Sequence, residues 1–165
     1  MLAATPFLAL ATAAVLGRES SSPLDWVSLR FGPRAEYAAF TDRFESGSVA
    51  VVTWPGCAID SAALPALAEA CVGPDAPRDA GGRPWFDSVV SGPALLARLV
   101  GPPVELDRDE AVRRLRGVLV GPDGRTTCLV VGFTREGIAA RRAAVAWLRR
   151  TALAAAGVEA ADLHL

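Results

Sequence analysis

The chain has 165 residues, all 17 of its basic side chains are Arg, and 18 acidic residues and one His give a formal net charge of −1. This length suits one compact domain plus a tail, and the near-neutral charge argues against a nucleic-acid partner. The absence of Lys, Asn and Gln excludes every catalyst that needs a side-chain amine or amide.

Cysteine and histidine usage argues against a metal centre and against catalysis. The three cysteines, Cys57, Cys71 and Cys128, form no CxxC pair, and His164 is the single histidine. Such spacing does not match a zinc site. Cys57 with His164 is the one nucleophile–base pair on offer, and no third residue supports it. We therefore expect no enzyme activity, no catalytic residue, no metal and no cofactor.

Residues 1–17 (MLAATPFLALATAAVLG) carry no charged side chain. As a helix they would span about 25 Å, slightly less than the ~30 Å hydrocarbon core of a bilayer. A signal peptide would begin with basic residues, and these are missing. The favoured interpretation is the end of a transmembrane helix or a membrane anchor. A buried core helix and an uncleaved signal are the alternatives.

Residues 18–47 are predicted to be a connecting segment with a short helix, in which Tyr37, Phe40 and Phe44 share one face. The uncharged, β-branched run 48–54 predicts a buried strand, which Pro55-Gly56 ends. A helix should follow from about residue 62 to residue 72, capped by Asp60 or Ser61. Its predicted apolar face contains Leu64, Leu67, Ala68 and Cys71.

Residues 73–116 are predicted to be an insertion before the second strand. It should contain a loop over 73–84, a short strand or extended segment over 85–92 and a helix over 93–100. A helix from Arg108 to about Arg116 should follow. Asp107 and Glu110 have the spacing of a capping box at its start.

The last third predicts a hairpin, a long helix and a final strand. Strands over 117–121 and 126–133 should flank a Pro-Asp-Gly turn. A helix beginning at Thr134 or Glu136 should run to about residue 156 and end at Gly157. Its predicted packing stripe contains Ala140, Ala144, Trp147, Leu148 and Thr151. Residues 162–165 (DLHL) should form the last strand.

The order of these elements predicts an α+β fold over residues 48–165. It is βαββαβ, the ferredoxin-like plan, with an antiparallel sheet, helices on one face and a helical insertion, preceded by an apolar N-terminal helix. In this plan the first and third strands are antiparallel neighbours, which brings Cys57 close to Cys128. The pair is either a disulfide, which an extracytoplasmic compartment would permit, or two small buried hydrophobic residues.

The string Trp54-Pro55-Gly56-Cys57 is the most distinctive local sequence. Trp54, Pro55 and Gly56 are candidates for a loop that faces a substrate path or a partner subdomain. The competing interpretation is a strand terminator in which the Trp side chain packs on the sheet edge.

Four segments resemble a known family of membrane exporters: VAVVTWPGC, SVVSGPALLARL, DEAVRRLRGVLVGPDGRTTCLVV and the terminal DLHL. Together they are similar to the resistance–nodulation–division superfamily, in its MMPL branch. The resemblance covers about residues 23–165, with residues 1–17 matching the end of a first membrane helix. It implies an extracytoplasmic porter-type domain of a bacterial inner-membrane exporter, facing the periplasm or the outside.

The resemblance also implies partners and limits. The partners would be the remaining membrane helices and a second porter domain, and the substrate would be hydrophobic or lipid-like. Family members carry their proton-relay carboxylates in membrane helices that do not match this chain, so we expect a fragment that is inactive alone. The alternative is a stand-alone, membrane-anchored ferredoxin-like module for interaction or ligand sensing.

Overall fold

A computed structural model describes residues 31–34, 36, 39 and 48–165. The predicted membrane helix over 1–17 lies outside them, as does most of the connecting segment 18–47 with Tyr37, Phe40 and Phe44. In that segment residues 32–34, 36 and 39 are helical. Within the part of the chain that is described, no helix is both long and apolar enough to cross a membrane.

Residues 48–165 contain three strands and five helices. The strands are β1 (Val49–Val52), β2 (Phe86–Ser91) and β3 (Leu129–Phe133). The helices are α1 (Ala63–Val72), α2 (Gly92–Val100), α3 (Arg108–Leu115), α4 (Arg135–Ala139) and α5 (Arg141–Ala156).

The three strands form one antiparallel sheet in the order β1-β3-β2. Val52 pairs with Leu129 in the β1–β3 ladder, and Ser91 pairs with Leu129 from the other side. The predicted α+β class is therefore confirmed. The predicted antiparallel contact between the strand at 49–52 and the strand at 129–133 is confirmed as well.

One face of the sheet supplies the main hydrophobic core, because side chains alternate between the two faces of a strand. Val52, Leu129 and Val131 point to this face and are fully buried. Helices α1 and α5 pack against each other and contribute to the same cluster. Their buried side chains are Leu64, Leu67, Cys71, Ala144, Leu148 and Ala152. The predicted apolar faces of both helices are thus largely correct.

The opposite face of the sheet carries exposed valines. Val49 and Val51 of β1 and Val90 of β2 are exposed, and Val130 of β3 lies between Val51 and Val90 in the paired register. Apolar side chains adjacent in this way form a continuous strip on the outside of the sheet.

The prediction of the second strand was wrong. Residues 117–121 were assigned to that strand and residues 85–92 to the insertion, whereas the second strand of the sheet is β2, within 85–92. The helices α2 and α3 therefore lie in the connection between β2 and β3, not before the second strand.

Residues 117–121 do not form a strand because their backbone N–H groups bond to the end of α3. The backbone N–H groups of Val118, Leu119 and Val120 all donate to the carbonyl of Leu115. Gly117 adopts a left-handed conformation, with φ of 78°, and its N–H donates to the carbonyl of Val120. Only isolated bridges remain, one of them between Val120 and Thr127. Because these N–H groups are already bonded locally, they are not available for pairing with a neighbouring strand.

The capping of two helices differs from the predictions. The first residue before α1 is Ala62, which makes no side-chain cap, so neither Asp60 nor Ser61 caps it. Asp107 caps α3 as predicted, but Glu110 bonds to Arg113 and Arg114 on its own helix.

The long C-terminal helix is divided in two. Ala140, with φ of −94° and ψ of 21°, separates α4 from α5. Thr134 caps α4 by accepting from the N–H of Gly137, and Gly157 ends α5 in the left-handed conformation. The role of Gly157 was predicted, and Thr134 was one of the two residues expected at the start of the helix.

The predicted final strand is reduced to one bridge. Thr53 and His164 exchange two backbone hydrogen bonds, of 3.0 and 2.9 Å. This bridge lies on the side of β1 that faces away from β3.

A second, smaller hydrophobic cluster is formed mainly by the connection between β2 and β3, together with Ile59 from the segment between β1 and α1. It joins α2 and α3 to the segments that flank them. Its buried members are Ile59, Leu96, Ala111, Leu115 and Val120. The connection between β2 and β3 therefore has apolar packing of its own.

Candidate functional site

The turn that ends β1 brings Trp54 and Cys57 together. The N–H of Cys57 donates to the carbonyl of Trp54 at 2.9 Å, which closes a four-residue turn. Pro55 and Gly56 occupy its central positions, and Gly56 has φ of 81°. A proline followed by a residue with positive φ is the requirement of a type II turn, so this sequence fits this conformation.

The turn exposes only part of the candidate substrate-path loop. Pro55 and Gly56 are at the surface, but the Trp54 side chain belongs to the main core and is 6% exposed. Trp54 is therefore a core side chain of the described domain. The proposed contact of this loop with a substrate or partner stays a prediction, and Pro55 and Gly56 are the residues placed to make it.

Thr53 lies at the centre of the site. Its hydroxyl donates to the carbonyl of Thr127 at 3.1 Å, and it is also hydrogen-bonded with the thiol of Cys57. Through its backbone it pairs with His164. One residue therefore connects the end of β1, the turn, the start of β3 and the C-terminal residues.

Cys57 and Cys128 lie on adjoining segments. The N–H of Thr127 donates to the carbonyl of Cys57 at 2.9 Å, and Cys128 is the next residue along the chain. All three cysteines are free thiols, with Cys57 and Cys71 buried and Cys128 partly exposed. The structure thus places the two candidate cysteines at neighbouring positions, while the disulfide between them stays a prediction.

Burial controls the acidity of all three thiols. Loss of solvation raises the pKa of Cys57, and interactions with the Thr53 side chain and the Trp54 backbone act in the opposite direction. Loss of solvation also raises the pKa of Cys128. Cys71, in the core face of α1, has its pKa raised to about 12 by burial. Because the thiolate is the nucleophile, all three are weakly reactive at neutral pH.

Two threonines in this site were not identified from the sequence. Thr127 is buried, and its hydroxyl donates to the carbonyl of Leu119 at 2.7 Å. Thr53 and Thr127 carry no motif, so only their positions at the end of one strand and the start of its neighbour could have indicated them. Over the described ranges, no cluster of three or more His, Cys, Asp or Glu residues could hold a metal ion.

Comparison with known proteins assigns no family. No protein-family model, no curated protein and no solved structure matches the chain significantly.

Proposed function

We propose that residues 23–165 are a porter-type extracytoplasmic domain of a membrane exporter of the resistance–nodulation–division type, in its MMPL branch. Its role would be substrate passage and conformational coupling to membrane helices. The observation that carries the proposal is the pairing of α1 and α5 on one face of an antiparallel sheet whose first and third strands are neighbours. This is the arrangement that the family resemblance of the sequence implies.

We further propose that the sheet follows the ferredoxin-like plan. The Thr53–His164 bridge supports a fourth strand, β4, over residues 162–165 beside β1. The strand order would then be β4-β1-β3-β2. The second strand of this plan would be β2, and residues 92–128 would be an insertion between the second and third strands. In that arrangement both crossover helices, α1 and α5, follow an inner strand and return over the same face.

The proposed location is the bacterial inner membrane, with the domain facing the periplasm or the outside. The uncharged segment 1–17 supports an anchor on the N-terminal side of the domain. The exposed strip of Val49, Val51 and Val90 supports a contact with another apolar surface. The proposed partners are the remaining membrane helices and a second porter domain, with a hydrophobic or lipid-like substrate.

A reporter fusion tests the proposed location. Alkaline phosphatase, which is active only outside the cytoplasm, is fused after Leu165 and expressed in a bacterium with or without residues 2–17. The proposal predicts an active, membrane-bound fusion for the full chain and an inactive, soluble one for the shortened chain. Equal activity of the two fusions, or an inactive full-length fusion, would contradict it.

The gene's surroundings test the exporter function. The proposal predicts coding sequence for several membrane helices in the same frame or directly adjacent to the codon for Leu165. A stop codon followed by unrelated genes, together with an active full-length fusion, would contradict the exporter and favour a membrane-anchored interaction or ligand-sensing module.

A further inference from the structure

Cys57 and Cys128 of the candidate site both lie next to Thr53. Continuing the β1–β3 register of Val52 with Leu129 by one pair puts Thr53 opposite Cys128. Residues directly opposite in an antiparallel pair project to the same face of the sheet. Cys128 therefore shares a face with Thr53, whose hydroxyl is hydrogen-bonded with the thiol of Cys57.

The backbone spacing is compatible with a covalent link. Bonded cysteines have Cα atoms about 4.4–6.8 Å apart, and residues on directly hydrogen-bonded neighbouring segments are separated by distances of this order. The N–H of Thr127 donates to the carbonyl of Cys57, so Cys57 and Cys128 are diagonal neighbours. In a regular ladder such diagonal neighbours would face opposite ways. The turn at Pro55-Gly56 interrupts the regular ladder immediately before Cys57, so strict alternation does not apply there. The thiol of Cys57 also interacts with Thr53, which lies opposite Cys128.

We propose that Cys57 and Cys128 form an intramolecular disulfide when the chain meets a disulfide oxidant, with Cys128 as the attacking thiol and Cys57 as the resolving thiol. The order of events follows from exposure. Cys128 is partly exposed, whereas Cys57 is 1% exposed and is reached only from within the protein. Cys71 is fully buried in α1 and takes no part. This inference does not depend on the proposed function.

The reaction is a thiol–disulfide exchange in two steps. The Cys128 thiolate attacks one sulfur of the oxidant's disulfide, whose S–S bond breaks and releases the first thiolate. Cys57 then loses its proton to solvent and attacks the Cys128 sulfur, which breaks the mixed disulfide and releases the second thiolate. Two electrons and two protons pass from the cysteine pair to the oxidant, which becomes two thiols. The raised pKa values of both cysteines imply that the reaction is faster at alkaline pH.

The product would fix the turn to β3. It would close a loop from residue 57 to residue 128, and cross-links that close long loops restrict the unfolded chain most. Because Thr53 is a neighbour of both cysteines and pairs with His164, the same bond would restrain the last residues of the chain beside β1.

The test uses the full chain, purified under reducing conditions, as wild type and as three variants, Cys57→Ala, Cys128→Ala and Cys71→Ala. Each is incubated with oxidised glutathione at pH 8 and examined by intact mass and by free-thiol titration. Wild type should fall from three free thiols to one, and Cys71→Ala from two to none, with both proteins remaining monomeric and free of glutathione.

The two remaining variants separate the roles of the cysteines. Cys57→Ala should accumulate a glutathione adduct on Cys128, because the resolving thiol is gone. Cys128→Ala should gain no adduct, because Cys57 is buried. An adduct on Cys57 alone would overturn the assigned order of attack. Three free thiols in oxidised wild type, or a disulfide-linked dimer, would overturn the proposal itself.

Peptide mapping of the wild type decides the outcome even if a variant fails to fold. Trypsin leaves Cys57 and Cys71 on one peptide, since no basic residue lies between Arg43 and Arg78. Additional cleavage after Glu69 separates them, and a cross-linked peptide pair containing Cys57 and Cys128 is expected. A pair containing Cys71 would overturn the proposal. Oxidation should also raise the melting temperature on the order of 10 °C, reversibly with reductant.

Discussion

Replacing Thr127 with Val should destabilise the protein although the two side chains have nearly the same shape. The Thr127 hydroxyl donates to the carbonyl of Leu119 at 2.7 Å, and both residues are buried. Valine removes the donor and leaves that carbonyl without this bond in a place that water does not reach. Leaving a buried polar group unsatisfied costs about 1–3 kcal/mol.

Packing around the hydroxyl places the expected value in the upper part of that range. A methyl group in place of the oxygen would stand 2.7 Å from the Leu119 oxygen, closer than the ~3.5 Å or more at which carbon makes a favourable contact. Gly92 closes the other side, because a Cβ built on it would lie 2.2 Å from the same hydroxyl oxygen. We therefore expect a loss of about 2–3 kcal/mol in the free energy of unfolding.

Urea denaturation followed by tryptophan fluorescence measures this loss. Thr127→Ser is the matched control, because it keeps the hydroxyl and removes only a methyl group, at a cost of about 1 kcal/mol. The melting temperature of Thr127→Val should fall on the order of 10 °C. A Thr127→Val protein as stable as wild type, or more stable than Thr127→Ser, would refute the hydrogen-bond argument.

Three further predictions concern a close contact, a low pKa and a high pKa. Gly137→Ala should lower the free energy of unfolding by more than about 3 kcal/mol in urea denaturation, because the new Cβ would lie 2.0 Å from the Trp85 carbonyl oxygen. The control Gly157→Ala should lower it by only about 1–2 kcal/mol, because it places Ala in a left-handed backbone conformation without a steric contact. The pKa of Asp123 is lowered to about 2, chiefly by the Thr126 hydroxyl and also by backbone N–H groups, so its stabilising effect is complete above the unfolded value near 4 and is lost as pH falls towards 2. In Asp123→Ala the free energy of unfolding should therefore depend less on pH between these two values. Asp123→Asn keeps an oxygen acceptor, so it should be more stable than Asp123→Ala at neutral pH. Burial raises the pKa of Cys71 to about 12, so its stabilising effect is complete below pH 9 and declines as pH rises from 9 towards 12. Cys71→Ala should reduce the slope of unfolding free energy against pH above pH 9 by up to about 1.4 kcal/mol per pH unit, and an unchanged slope would contradict the assignment.

The elements that the sequence predicted well are those whose signal is local. The apolar face of α1 follows from the spacing of Leu64, Leu67 and Cys71, and these three side chains are buried. Thr134 and Gly157 begin and end the C-terminal helical region because a short hydroxyl side chain suits an N-terminal cap and glycine suits a left-handed end. None of these features requires knowledge of a distant partner.

Residues 85–92 were expected to form a short strand or extended segment, but their place as the second strand of the sheet was not predicted, because it depends on a distant partner. Phe86 pairs with Phe133, and the strand contains Asp87 and Ser88, with a register shift at this point. Its β signal is therefore weaker than that of the 117–121 segment, which is rich in valine and precedes a Pro-Asp-Gly turn. The turn does form, since the carboxylate of Asp123 accepts from the N–H of Arg125 and of Thr126. The prediction was therefore correct for the turn at Asp123 and wrong for the strand over 117–121.

The candidate site was predictable in position but not in detail. Antiparallel pairing of β1 with β3 was sufficient to bring Cys57 near Cys128, and this pairing is observed. The interaction of Thr53 with Cys57 depends on the conformation of the turn at Pro55-Gly56, which brings Cys57 back to the end of β1. Side-chain direction after a turn is set by backbone angles that residue spacing does not determine.

The connection between β2 and β3 explains why Thr127 is expected to be sensitive to substitution. The segment from α2 to Val120 has a hydrophobic cluster of its own, separate from the core under the sheet. Thr127 links the two clusters: its hydroxyl donates to the carbonyl of Leu119, beside Val120 of the smaller cluster, and its N–H donates to the carbonyl of Cys57, which belongs to the main core. A small side cluster contributes to a cooperative fold only when such contacts couple it to the larger core. Because Thr127→Val removes the hydrogen bond to Leu119, it should lower the stability of α2 and α3 more than that of the sheet. Hydrogen exchange in α2 and α3 should then increase more than exchange in β3, whereas an equal increase in both would show that the two clusters unfold as one.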